Sequence, residues 1–197
     1  MTTNLPSVPV VAPVPVAPGR LRRWRFPLIA LAIVAVFVAT YALAWWDAIR
    51  LTTTYTADAN ASFEAGNFLE ALAGHEEFDE ESNEFVHYGG YGDVMRIWRD
   101  SYARPVPASV SIAEARIDEI INERLTIEEA EQFVLENIGR TNPHLGIVLL
   151  RLGELYEADG DLRSAEDIYS EVLDSFAHQP ELIERAKANL TRLGVEE

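Results

Sequence analysis

The chain has no cysteine. Disulfides, iron–sulfur clusters, thiolate zinc sites, cysteine nucleophiles, haem held through C-x-x-C-H and acylated lipoprotein anchors are all excluded by that one absence. Histidine is scarce: His75, His87, His144 and His178 are the whole set, and none stands four residues from another as a helical metal pair requires. His75-Glu76-Glu77 opens like a zinc-protease motif but has no second histidine behind it. There is no glycine-flanked nucleophile elbow and no phosphate-cradling glycine loop before a helix. These gaps predict a protein that is not an enzyme, with no cofactor and no metal site.

Negative charge is missing from the first 46 positions, because no acid precedes Asp47. All 32 acids therefore follow it, against 12 of the 16 basic residues, which gives the later part a net charge of −20. So acidic a domain is not expected to bind nucleic acid or spread on anionic headgroups. A solvated acidic surface that keeps the domain soluble accounts for the same charge.

Charge of either sign is absent from Pro27 to Trp46, PLIALAIVAVFVATYALAWW. At about 1.5 Å of rise per residue, twenty residues make a helix of about 30 Å, one hydrocarbon core thick. Nine of the twenty are Leu, Ile, Val or Phe, each favouring insertion by roughly 0.3 to 0.6 kcal/mol at a helix centre. Arg20, Arg22, Arg23 and Arg25 stand before the span, whereas Asp47 and the single Arg50 follow it. The positive-inside rule then predicts a cytoplasmic N-terminus and an extracytoplasmic C-terminal domain in the cytoplasmic (inner) membrane. Trp24 on one side, with Trp45 and Trp46 on the other, are expected as interface anchors. Ala35 and Ala39 have the small-xxx-small spacing that admits a second membrane helix, a spacing that also arises by chance in an alanine-rich span. The rival reading is a cleaved secretory signal, with Ala42-Leu43-Ala44 as the A-x-A site, although such h-regions usually run about 7 to 15 residues.

Residues 1–26 form the expected disordered, proline-rich and basic tail, since Pro6, Pro9, Pro13, Pro15 and Pro18 favour extended polyproline II. Beyond the 27–46 span the pattern is helical throughout. Leu149, Leu152 and Tyr156, then Leu162, Ala165, Ile168, Tyr169, Val172, Leu173 and Phe176, recur at three and four around a break at Asp159-Gly160-Asp161. Gly153 and Ala165 are the small residues expected where those two helices cross. Pro180 suits the first turn of a third helix, with Ile183, Ala186, Leu190 and Leu193 on one face. Ser111 with Glu114 and Thr126 with Glu129 read as capping boxes, opening Ala113, Ile117, Ile120, Ile121 and then Ile127, Ala130, Phe133, Val134, Ile138.

Leu149, Leu152, Gly153, Tyr156, Gly160, Ala165 and Tyr169 together resemble a tetratricopeptide repeat. The family's terminating proline would fall at Ala177, but Pro180 comes three residues later, so a longer second helix is expected. Gly66-Asn67-Phe68-Leu69-Glu70-Ala71-Leu72 is similar to the turn and second-helix opening of another such unit, behind a helix over Thr52 to Ala65 that continues from the anchor. The expected fold class is thus all-α, one transmembrane helix followed by a TPR-like α-solenoid, with parts at 47–105 and 106–197 and a boundary within Pro105 to Val110.

Glu76 to Pro107 is the least regular segment. An acidic run, Glu76, Glu77, Asp79, Glu80, Glu81 and Glu84, leads to Tyr88-Gly89-Gly90-Tyr91-Gly92, where three glycines in five residues oppose a helix. A helix is expected after it, with Val94, Ile97, Trp98 and Tyr102 on one face. Tyr88, Tyr91, Trp98 and Tyr102 are the candidate partner-binding residues, because aromatics beside flexible backbone are enriched in interfaces. Core packing by Tyr91, Val94 and Trp98 is the alternative.

The layout resembles bacterial single-pass tetratricopeptide membrane proteins, one family of which accompanies the secretion translocon. That resemblance implies a non-catalytic accessory or assembly subunit of a larger membrane complex, in secretion or energy transduction, with an integral membrane complex or an extracytoplasmic protein or peptide as partner. Two alternatives stand beside it: a free-standing adaptor that recruits soluble exported clients, and a hydrolase or wall-modifying enzyme.

Overall fold

The computed structural model describes residues 21–100 and 103–194, with the backbone alone for 21–25. The chain divides into two compact units, residues 1–45 and residues 46–197.

One helix, α1 (Leu21–Ala65), crosses that division. It begins inside the stretch expected as a disordered tail, so residues 21–26 are helical, and it carries Pro27 without a break. The remainder of the tail lies outside the described residues. The most apolar part of α1 has a mean hydropathy of 2.4 and none of it is buried within the chain, which makes α1 long and apolar enough to cross a membrane. Ala35 and Ala39 are exposed on it, Trp45 is half-buried and Trp46 is exposed. The side chain of Trp24 lies outside the described residues. As expected, the helix continues beyond the apolar span. In its threonine-rich stretch Thr52, Thr53, Thr54 and Thr56 each donate the side-chain hydroxyl to the carbonyl four residues back, which satisfies the hydroxyls within the helix.

The second unit is mostly helical, and one correction applies to the all-helical expectation. After Gly66 comes α2 (Phe68–Ala73), only six residues long, where a full second repeat helix was expected. Gly74 ends it, and an antiparallel hairpin follows, β1 (His75–Asp79) and β2 (Glu84–Tyr88), with Phe78 opposite Phe85 and His75 opposite Tyr88. Strand pairing wins there because the turn has its own chemistry. Asp79 accepts from the Glu81 amide at 2.9 Å and from the Ser82 hydroxyl at 2.9 Å, and Asn83, a residue that tolerates the left-handed region, sits at φ 54°. Helix α3 (Tyr91–Trp98) then starts within the glycine cluster itself, with Gly92 in its first turn.

Helix α4 (Ala108–Glu119) follows Pro107. Ser111 does not cap it: the helix begins three residues earlier, and the Ser111 hydroxyl donates to the Ala108 carbonyl at 2.8 Å. A π-helical turn, Ile120–Arg124, comes next, closed by Leu125 N–H to the Ile120 carbonyl at 3.0 Å. Ile120 and Ile121 are both buried in it. The Thr126–Glu129 capping box forms as expected at the start of α5 (Ile127–Asn137). Ile138, expected on the buried face, is the C-cap of α5 and is exposed.

Helices α6 (Leu145–Asp159), α7 (Leu162–Ser175) and α8 (Pro180–Leu193) pack in succession. Pro180 occupies the first turn of α8 as expected. Helix α7 ends at Ser175, so it is not lengthened toward Pro180. The buried face of α8 is Leu182, Ala186, Asn189 and Leu190, which moves Ile183 to its edge. A Cβ on Gly153 would stand 2.5 Å from the Tyr169 ring, so α6 meets α7 at that glycine. Three helices are tied at one end by Glu157, which accepts from the Tyr169 hydroxyl at 2.9 Å and from Arg192 at 2.6 and 2.8 Å.

Buried residues from Ala59 to Leu190 form one cluster. The segment Pro105 to Val110 therefore joins two parts of a single core, with α3 packed on α4 across it.

Candidate interaction site

The glycines decide the geometry around the aromatic residues. A Cβ on Gly90 would lie 2.3 Å from the Gly74 nitrogen and 2.8 Å from the Ala73 carbonyl carbon; one on Gly92 would lie 2.9 Å from the Leu72 oxygen. A Cβ on Gly89 would enter the Tyr55 ring, at 2.2 Å. The segment before β1 and the segment after β2 thus touch backbone to backbone, and only hydrogen at Cα fits between them. Composition read as flexibility is in fact close packing.

Asp93 locks this junction. Its carboxylate, nearly buried, accepts from Gly90 N–H at 3.1 Å, meets His87 Nε2 at 3.1 Å and pairs with Arg96 at 2.7 Å. Asp58 on α1 accepts from Gly89 N–H at 3.2 Å. Tyr55 contributes its ring edge-on to His87, at 5.7 Å between centroids. The His87–Asp93 contact joins the end of β2 to the first turn of α3 and so braces the root of the hairpin. Among the described residues no three His, Asp or Glu side chains converge as metal ligands do.

Two of the four candidate contact residues face inward. Tyr91 is fully buried and donates its hydroxyl to Asn60 Oδ1 at 2.6 Å; burial raises its pKa. Trp98 is 6% exposed and donates its indole N–H to Thr52 Oγ1 at 2.7 Å. Both tie α3 to α1; Tyr91 is fully covered, and Trp98 keeps only a small exposed edge. Tyr88 is at the surface, 36% exposed, stacked on the His75 ring at 5.0 Å. Tyr102 lies outside the described residues.

What the junction carries is the hairpin, and its aromatics were not among the expected contacts. Phe78 and Phe85 touch edge to face at 5.2 Å while 45% and 70% exposed. The available signal was a phenylalanine in each of two short acidic runs flanking a Ser-Asn turn. Beside the junction lies a cleft of about 380 Å³, floored by Leu72, Met95, Trp98 and Phe133, with His144 on its wall. Burial lowers the pKa of His144, and its Nε2 has no hydrogen-bond partner among the described residues.

No family model matches the chain, and neither does any curated protein or solved structure. The functional reading therefore rests on the chain's own chemistry.

Proposed function

We propose that this protein is a membrane-anchored, non-catalytic accessory or assembly subunit. Its N-terminus lies in the cytoplasm, α1 crosses the membrane once, and the helical domain binds a larger membrane complex from the extracytoplasmic side. The observation that carries this reading is the apolar stretch of α1, none of which the chain buries. Nine Leu, Ile, Val and Phe side chains lie in the uncharged span, and hiding each from water is worth about 1.5 to 3 kcal/mol. Left in water they would forgo well over 10 kcal/mol, as much as the whole stability of a typical domain. A bilayer supplies that burial.

A TPR-like scaffold is supported by the order of α6, α7 and α8 and by the Gly153–Tyr169 crossing. Such helical stacks bind proteins through extended surfaces. The test is purification of the full chain from membranes in mild detergent. A stoichiometric complex with integral membrane proteins is expected, with residues 1–26 still attached. A mature chain that begins after Ala44, or a lone protein that traps soluble clients, would overturn the reading.

A further inference from the structure

We infer that the β1–β2 hairpin is the docking element of this domain and that its occupant is a cationic protein surface with an apolar pocket, which receives Phe78 and Phe85 together. The hairpin does nothing for the core, because every residue of β2 is exposed and β1 is at most half-buried. It is nonetheless stiff, held at the root by the glycine contacts and Asp93 and at the tip by the Asp79 turn. Two phenylalanines in mutual contact on such a projection form an aromatic anchor of the kind that dominates interface energetics.

Charge selects the occupant. Residues 75–88 hold six carboxylates, Glu76, Glu77, Asp79, Glu80, Glu81 and Glu84, and no Lys or Arg. Asp79 stands directly opposite Glu84, and like charges across a strand pair oppose its formation. A cationic surface offsets that like-charge repulsion and supplies the countercharge that the hairpin's own sequence lacks. A second copy of this chain would bring another six carboxylates against these, and an anionic lipid surface would likewise repel them.

The inference rests on the proposed binding role and is tested separately from it. A photoreactive benzoylphenylalanine replaces Phe85 in the full chain in its native membrane; a second chain carries it at Leu135, which is 73% exposed on α5. Irradiation is expected to give one discrete polypeptide adduct from position 85 and not from 135, mapped to a segment with Lys or Arg flanking apolar residues. The adduct should fall about tenfold in yield at 0.5 M salt, where the screening length shrinks to a few ångström. The fourfold change of Glu76, Glu77, Glu80 and Glu81 to Gln should reduce it similarly. An adduct with lipid, with a second copy or with an acidic segment, or none at all, would overturn the inference. If the F78S/F85S chain still copurifies with the complex, the hairpin assignment fails and the subunit reading stands. An adduct with a soluble basic protein would do the reverse.

Discussion

Alanine at position 90 isolates the cost of a backbone contact. Gly90 has φ −102° and ψ 172°, extended values open to any residue, so G90A adds no dihedral penalty. Its whole cost is steric: the new methyl would sit 2.3 Å from one backbone atom and 2.8 Å from another, and neither can swing aside as a side-chain end would. Relief requires moving the Leu72–Gly74 segment away from Gly90 by about 1 Å, a cost at the upper end of overpacking penalties, about 3 kcal/mol. Gly139 is the opposite case, with φ +75° and nothing within 4 Å of its Cβ position. G139A therefore costs only the left-handed dihedral, about 1 to 2 kcal/mol. Gly74 combines both causes, at φ +75° and 2.6 Å from the Tyr88 oxygen. Urea unfolding of the full chain in detergent, followed by circular dichroism, should rank G139A as milder than G90A. The G74A/G90A pair should cost less than the sum of its members, because the first methyl already opens the gap the second needs. A G90A penalty no larger than that of G139A would refute the close-packed junction.

Trp98→Phe should cost about 1 to 2 kcal/mol in the same assay, since it removes the indole N–H from Thr52 while Thr52 keeps its bond to the Ala48 carbonyl. Stability should fall on both sides of neutral pH. Arg192 holds the Glu157 carboxyl below its usual 4.5, so that contribution is complete above pH 4.5 and is lost as pH falls through the lower folded value. On the alkaline side, Tyr156 is pushed up to about 12 by its bond to Glu131, and Tyr169 is raised above 10 by burial. Both contributions are complete below pH 10 and are lost above it, and Y156F/Y169F should flatten that alkaline limb in thermal melts. Thr126→Ala should cost about 1 kcal/mol by deleting the cap of α5. Phe85→Ser should cost no more than its edge-to-face contact with Phe78, about 0.5 to 1.5 kcal/mol.

Helices were legible where one apolar face is fixed by neighbours close in sequence. Leu149, Leu152, Ala165, Tyr169 and Val172 are buried at the spacing that predicted them, and Pro180 and Thr126 mark their helix starts. Ser111 misled because a capping pattern is only two residues long and recurs by chance inside helices. Its hydroxyl has a use there, the Ala108 carbonyl, so no local penalty betrays the error. The hairpin was illegible for a different reason. An acidic run with two phenylalanines has no strong period of its own, and the strands exist because the Asp79 turn closes one end and the glycine contacts close the other.

The aromatic cluster shows how far local reading reaches. Tyr88, Tyr91 and Trp98 share one short segment, yet the structure separates them into one surface residue and two core residues. The separating information is remote: Tyr91 finds Asn60 31 residues back, and Trp98 finds Thr52 46 residues back. A buried phenol or indole without a partner would lose the worth of a hydrogen bond, about 1 to 3 kcal/mol, so the polar residues on α1 are what permit those two rings to enter the core. Phe78 and Phe85 have no polar atom to satisfy and would have entered at less cost. They remain outside because the hairpin carries them there, and that inversion, amphipathic rings inside and apolar rings outside, is the physical reason for assigning the contact surface to the hairpin rather than to Tyr91 and Trp98.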